Sequence, residues 1–191
     1  GLSGVLAFVG FVLVAGSMRI AVRDLGSFWD RAVLRTGYLL RTGPIRSREL
    51  LDKELYRVAD YNLDANRLVA LEVTRRTPPG AKIFVWGFEP GIYWMADRPP
   101  ATRYVYDVAQ RVSWGRERAQ RELMADLAKN PPALVVVQHG DRFSWVTGDD
   151  FDSAEALPHF HDLARLVERD FQLVTTIEDF DVYERRPAPG G

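Results

Sequence analysis

K-I-F-V-W-G-F-E-P-G-I-Y-W-M-A-D-R-P-P-A-T-R-Y-V-Y, residues Lys82 to Tyr106, carries the densest run of local signals in the chain. Lys82-Ile83-Phe84-Val85-Trp86 is β-branched and aromatic, and breakers stand on both sides of it. Pro78-Pro79-Gly80 precede it and Gly87 follows, so a short buried strand is expected. Glu89-Pro90 then has the form of a helix start, because proline tolerates the first turn and a carboxylate there faces the positive end of the helix dipole. The helix must be short, since Asp97-Arg98-Pro99-Pro100 stops it. Thr102 to Tyr106 is expected to be a second strand. Strand, glycine turn and helix N-terminus together form a ligand platform, because sites in α/β sheets lie beyond the carboxyl ends of the strands.

On this platform the candidate substrate-binding residues are Trp86, Glu89, Tyr93, Arg98 and Arg103. Trp86, Tyr93 and the neighbouring Trp94 suit a sugar face, and the two arginines suit a phosphate. The competing reading places the aromatics in the core and has Asp97, Arg98 and Arg103 pin the turn.

Working outward, 191 residues with 47% apolar content fit one domain with additions. A formal net charge of -1 offers no basic face for nucleic acid. The sequence has no cysteine, which excludes a disulfide framework and a thiolate metal site. Lysine occurs only at 53, 82 and 129, so nearly all positive charge is arginine.

Gly1 to Met18 (G-L-S-G-V-L-A-F-V-G-F-V-L-V-A-G-S-M) holds no charge. As a helix, eighteen to twenty-two residues reach about 27–33 Å, enough to cross a hydrocarbon core with Arg19 snorkelling. Residues 1–22 are therefore expected to be a transmembrane helix, the last span of a longer protein that this chain enters midway. A secretory signal is the rival, but no basic segment precedes the apolar run. Residues 23–58 form an amphipathic juxtamembrane segment, with Trp29 and Tyr38 at headgroup level. Arg19, Arg23, Arg31, Arg35 and Arg41 argue, by the positive-inside rule, for a cytoplasmic flank.

Residues 59–186 are expected to fold as an α/β domain, with 187–191 a disordered tail. Asp60 to Thr77 and Gly115 to Asn130 have helical periodicity, and Ala133-Leu134-Val135-Val136-Val137 is a continuous apolar run of the kind that parallel sheets bury on both faces. Ser153 to Asp170 is a helix capped by Asp152 or Ser153, its start limited by Pro158. Phe171–Ile177 and Asp181–Arg185 pair around Glu178-Asp179-Phe180. This order predicts a small layered sheet with flanking helices, Rossmann-like, with at least two right-handed crossovers.

Strong catalytic motifs are absent. Gly87-x-x-x-Gly91 lacks the lysine and hydroxyl of a phosphate loop, and no G-x-S-x-G occurs. His159-Phe160-His161 diverge on a helix, and Asp149-Asp150-Phe151-Asp152 lacks the glycine and glutamate of a calcium loop, so capping explains it better. No metal or cofactor is expected. His139 and Asp141 stand at a strand end, where catalytic groups often sit, but no partner is visible in the sequence.

At Val85-Trp86-Gly87, Glu89-Pro90-Gly91-Ile92-Tyr93 and Ala96-Asp97-Arg98-Pro99-Pro100-Ala101-Thr102-Arg103-Tyr104 the chain resembles the C-terminal region of bacterial polytopic glycosyltransferases of the GT-C type. These are the relatives of protein O-mannosyltransferases and of the lipid A aminoarabinose transferase. The resemblance implies a polyprenyl-phosphate-linked sugar donor, membrane lipid and an upstream transmembrane domain as partners, and an extracytoplasmic soluble domain on the inner membrane. The family's catalytic acidic residues lie in an early loop, so no residue here inherits that role and the chain alone is expected to be inactive. The arginine flank departs from the implied sidedness. Two rivals are a membrane-anchored binding or scaffolding module without chemistry, and a self-contained α/β enzyme using His139 and Asp141.

Overall fold

A computed structural model describes residues 63–187, together with positions 10–11, 32–33, 36–37 and 40–41, which are helical. The chain divides into two units, Gly1–Asn62 and Leu63–Gly191. In the first, Phe11, Val33 and Leu40 carry exposed apolar side chains. The expected span 1–22 and the juxtamembrane segment 23–58 otherwise lie outside the described residues, as does most of the tail. Among the described residues no helix is long and apolar enough to cross a membrane.

The second unit opens on α1 (Leu63–Arg76), followed by β1 (Ile83–Trp86), α2 (Gly91–Met95), α3 (Val108–Arg111) and α4 (Arg116–Lys129). β2 (Leu134–Gln138), α5 (Ser144–Thr147), α6 (Ser153–Ala156), a 3-10 turn at Leu157–His159, α7 (His161–Asp170), β3 (Phe171–Ile177) and β4 (Phe180–Arg185) complete it. The strands form one sheet in the order β1-β2-β4-β3. β1 and β2 are parallel in the register Ile83↔Leu134 to Trp86↔Val137. β4 lies antiparallel to both β2 and β3. Two crossovers therefore run between parallel strands, β1 to β2 and β2 to β3, and β4 fills the slot that the second one skips.

Strand alternation sorts the core into two layers. Ile83, Val85, Leu134, Val136 and Val182 point to one face, where Ala65, Val69 and Val73 of α1 and Ile92 of α2 meet them. Phe84, Trp86, Val135 and Val137 point to the other, against Leu123 and Leu127 of α4 and Leu163 and Val167 of α7. On α1, α4 and α7 these contacts sit at i, i+4, one stripe of a helical face. Every residue of β1 and β2 is buried, as the unbroken apolar runs require.

The expected closing pair is present: the two-residue loop at Glu178-Asp179 returns the chain antiparallel, which makes the sheet mixed. Two expectations are corrected. Thr102 to Tyr106 is not a strand. The chain touches the outer edge of β1 at one bridge, Ile83↔Pro100. It then leaves, because the Thr102 hydroxyl accepts from Tyr104 N–H and donates to Tyr104 C=O, while Arg103 N–H donates to the Asp126 carboxylate. Those side-chain bonds replace the ladder. Ser153 to Asp170 is broken into α6, the 3-10 turn and α7, with Pro158 at the break.

Candidate functional site

The carboxyl ends of β1 and β2 gather most of the unusual chemistry. β1 leaves the sheet through Gly87, which an added Cβ would place 2.6 Å from both Cβ and Oε1 of Gln138. Gln138 Oε1 accepts from Phe88 N–H at 2.8 Å, so the glycine lets the two strand ends lock together. Phe88 packs at a tilt against Phe143 of the loop after β2, with centroids 4.5 Å apart, and Trp145 meets Phe143 edge-on. Trp145 and Trp114 are each 85% exposed.

Beneath this rim lies a buried polar cluster. Arg111, at the end of α3, holds Asp107 at 3.3 Å and Asp149 at 3.0 Å, and donates to the carbonyl of Phe151. Its guanidinium also sits 5.8 Å from the Phe88 ring centroid. Ser153 Oγ lies 2.7 Å from Asp107 Oδ2 and 2.6 Å from Asp141 Oδ2. Asp141 Oδ1 accepts from Ser153 N–H. One hydroxyl hydrogen cannot serve two carboxylates at once, so the arrangement favours a proton on the pair. Burial pushes Asp141 up to about 6, opposed by its bonds from Ser153 and helped by the Asp107 charge. Burial raises Asp107 too, opposed by the Arg111 charge and by the bonds from Ser153 and Arg111. Asp152 caps α6 reciprocally with Glu155 and accepts from the N–H of Gly140, whose φ of 74° makes that approach possible.

A pocket of about 240 Å³ opens beside the cluster, its lining including Trp86, Phe160, Gln110, Arg111 and the stacked Phe151 and His159 rings. Among the described residues four buried side-chain atoms have no hydrogen-bond partner: Asn66 Oδ1, Asp107 Oδ1, Gln110 Oε1 and Arg111 Nε. Three of the four belong to α3 and its N-cap.

The five residues expected to bind substrate do not share one surface. Trp86 is 1% exposed and its indole N–H donates to Ser153 C=O at 2.7 Å. Tyr93 is buried, its hydroxyl accepting from Val85 N–H, and burial raises it above the usual phenol range. Arg98 is 6% exposed and donates to Thr77 Oγ1 and to the carbonyls of Thr77, Ala96 and Asp97. It thus covers the open carbonyl ends of α1 and α2. Glu89 is half-buried and accepts from Asn66 at 2.6 Å, with burial raising it and that bond opposing the shift. Arg103 is exposed, with its fork on Asp126 at 2.9 Å, which holds that carboxyl down to about 2.

His139 and Asp141 diverge. His139 pairs at the surface with Asp181 of β4 at 2.9 Å, whereas Asp141 turns inward to Ser153. Among the described residues no group of three His, Cys, Asp or Glu side chains is placed to hold a metal. The sequence reading passed over Asp107, Gln110 and Arg111. A usable signal was there: opposite charges at i, i+4 with Val108 and Val112 beside them mark a pair facing inward.

In class the described domain is a mixed α/β fold with a four-stranded sheet and flanking helices. No family model matches the chain, and no curated protein matches it. Among solved structures it is similar to the C-terminal globular domain of an oligosaccharyltransferase from Archaeoglobus fulgidus, at 11% identity and a TM-score of 0.36, covering 63% of this chain and 96% of that one.

Proposed function

We propose that this chain is the C-terminal region of a polytopic inner-membrane glycosyltransferase, its α/β domain lying outside the cytoplasm. The enzyme would transfer a sugar from a polyprenyl-phosphate carrier, using acidic residues of a preceding transmembrane part. The observation that carries this reading is the joining, in one chain, of an uncharged apolar run from Gly1 to Met18 with the W-G, I-Y and D-R-P-P-A-T-R-Y segment that ends at Tyr104. In this reading Glu89 and Arg103 are the two of the five candidates whose charged groups approach the surface. Trp86, Tyr93 and Arg98 hold the segment rigid from within. The alternative, an anchored binding module without chemistry, is favoured by the bare tryptophans Trp114 and Trp145 at the sheet end, since exposed aromatics mark contact surfaces.

One pair of measurements separates the two. Alkaline phosphatase fused after Gly191 of the protein in its own host is expected to be active and to stay with carbonate-washed membranes. Deleting the gene is expected to raise the pool of polyprenyl-phosphate-linked sugar, measured by lipid mass spectrometry. A silent fusion overturns the extracytoplasmic placement. An unchanged carrier pool overturns the transferase and leaves the anchored module.

A further inference from the structure

We propose that the rim carrying Trp114 and Trp145 is the face by which the domain rests on a lipid bilayer, the two indoles entering the headgroup layer. The inference rests on the membrane attachment proposed for the chain and not on the sugar transfer.

Each of the two rings is 85% exposed, and both ride on connections at the carboxyl ends of β1 and β2. Trp114 follows α3, Trp145 lies in α5, and the two helices touch. The backbone beneath them is fixed. Arg116 donates to the Arg111 carbonyl and so closes the turn that carries Trp114. Arg111 in turn donates to Asp149 and to the Phe151 carbonyl, just past α5. Connections held this way have little backbone freedom left to lose on contact.

Area decides between a protein and a lipid surface. Two indoles of roughly 150–250 Å² each, 85% bare, offer roughly 250–400 Å². Tyr106 and Phe151, 47% and 41% exposed, raise that to roughly 650 Å² at most. A standard protein interface covers about 800 Å² on each partner, so this face is too small to hold a protein by itself. A bilayer asks for less. Once one segment of a chain is anchored, a second contact is intramolecular, and a weak one suffices. The uncharged run from Gly1 to Met18 is the proposed anchor, and tryptophan is a residue that collects at headgroup level.

Charge decides the kind of lipid. Arg142 is spent on Glu155, Arg118 on Glu122 and Arg111 on Asp149. Arg116 is followed by Glu117, and Asp150 accepts from the Ser144 hydroxyl. The rim has no cationic surplus, so anionic headgroups are not what holds it.

The test uses the intact chain of residues 1–191 in phosphatidylcholine nanodiscs. The protein has no cysteine, so Ser113→Cys, Ser144→Cys and, at the far end of α4, Lys129→Cys each take a single spin label. Power saturation compares collisions with lipid-soluble oxygen and with a water-soluble nickel chelate. Labels at 113 and 144 are expected to favour oxygen, and the label at 129 the chelate. Trp114→Ala and Trp145→Ala together are expected to bring the first two labels to the value at 129. Both side chains are bare, so the melting temperature is expected to hold. Adding phosphatidylglycerol is expected to change nothing. Wet labels at 113 and 144 in a chain that stays with the nanodisc overturn the proposal and leave the membrane attachment standing, whereas a chain that leaves the nanodisc sinks both. Shielding that survives the loss of both tryptophans, or that needs phosphatidylglycerol, overturns it as well. Shielding that appears only when host membrane proteins are added does the same and marks a protein partner instead.

Discussion

At the scale of single residues, Ser153 is the hinge of the electrostatics. Its one hydroxyl hydrogen lies between Asp107 and Asp141, so the folded domain takes up a proton that the unfolded chain releases. Asp141 titrates at about 6 when folded, against an ordinary 3.8. A carboxyl with a raised folded value contributes stability below its unfolded value and loses it as pH rises through the folded one. The window is therefore about pH 4 to 6, and the ceiling is about 3 kcal/mol at 1.36 kcal/mol per pH unit. Asp141→Asn supplies the proton permanently: Oδ1 still accepts from Ser153 N–H, and the amide donates to Ser153 Oγ, freeing that hydrogen for Asp107. The variant is expected to melt higher than the parent at about pH 7.5 and to show a flatter decline between pH 4 and 6, followed by circular dichroism. A lower melting point at about pH 7.5 would show that the charge itself is required.

Among the elements, the junction of β1 and β2 is the tightest. Gly87 has no room for a methyl group, because Gln138 stands 2.6 Å from where it would go. Gly87→Ala must push Gln138 aside, break its bond to Phe88 N–H and disturb the Phe88–Phe143 contact. Overpacking of this kind costs about 1–3 kcal/mol, read as a fall in the urea midpoint with an unchanged slope. If the midpoint held, the strand ends would have to be looser than the Phe88 bond implies. This junction also shows what the sequence made legible. Apolar runs between breakers located β1, β2, α1, α4 and the β3–β4 pair to within a residue or three, since hydrophobic period and turn chemistry are local properties. The segment from Thr102 to Tyr106 was misread because its valine and tyrosines have strand propensity, while the bonds that take it off the sheet come from its own Thr102 hydroxyl and the distant Asp126. The site was less legible for the same reason. Asp107 comes from the β1–β2 crossover and Asp141 and Ser153 from the β2–β3 one, and no spacing along the chain announces their meeting.

For the domain as a whole, both layers of the core close on a sheet whose inner strands are β2 and β4. β4 buries Phe180 and Val182 and pairs along its length on both edges. β3, in contrast, faces solvent at Gln172, Leu173 and Thr176 and carries an irregularity between Leu173 and Thr175, as befits an edge. Ending the chain after Asp179 removes β4 and leaves β2 and β3 with no partner between them. It is expected to abolish cooperative unfolding and expose apolar surface to a dye such as ANS, whereas ending it after Arg186 is expected to leave a single sharp transition. A cooperative melt from the shorter form would mean that β3 can move over and take the vacated place. The placement of β4 has a consequence for biosynthesis. While a ribosome is still adding residues, the nascent sheet keeps an open seam at β2, and only the last few codons before Arg185 supply the piece that shuts it. Closure of this domain therefore waits on the synthesis of Phe180 to Arg185, and a nonsense codon just ahead of them leaves the seam open.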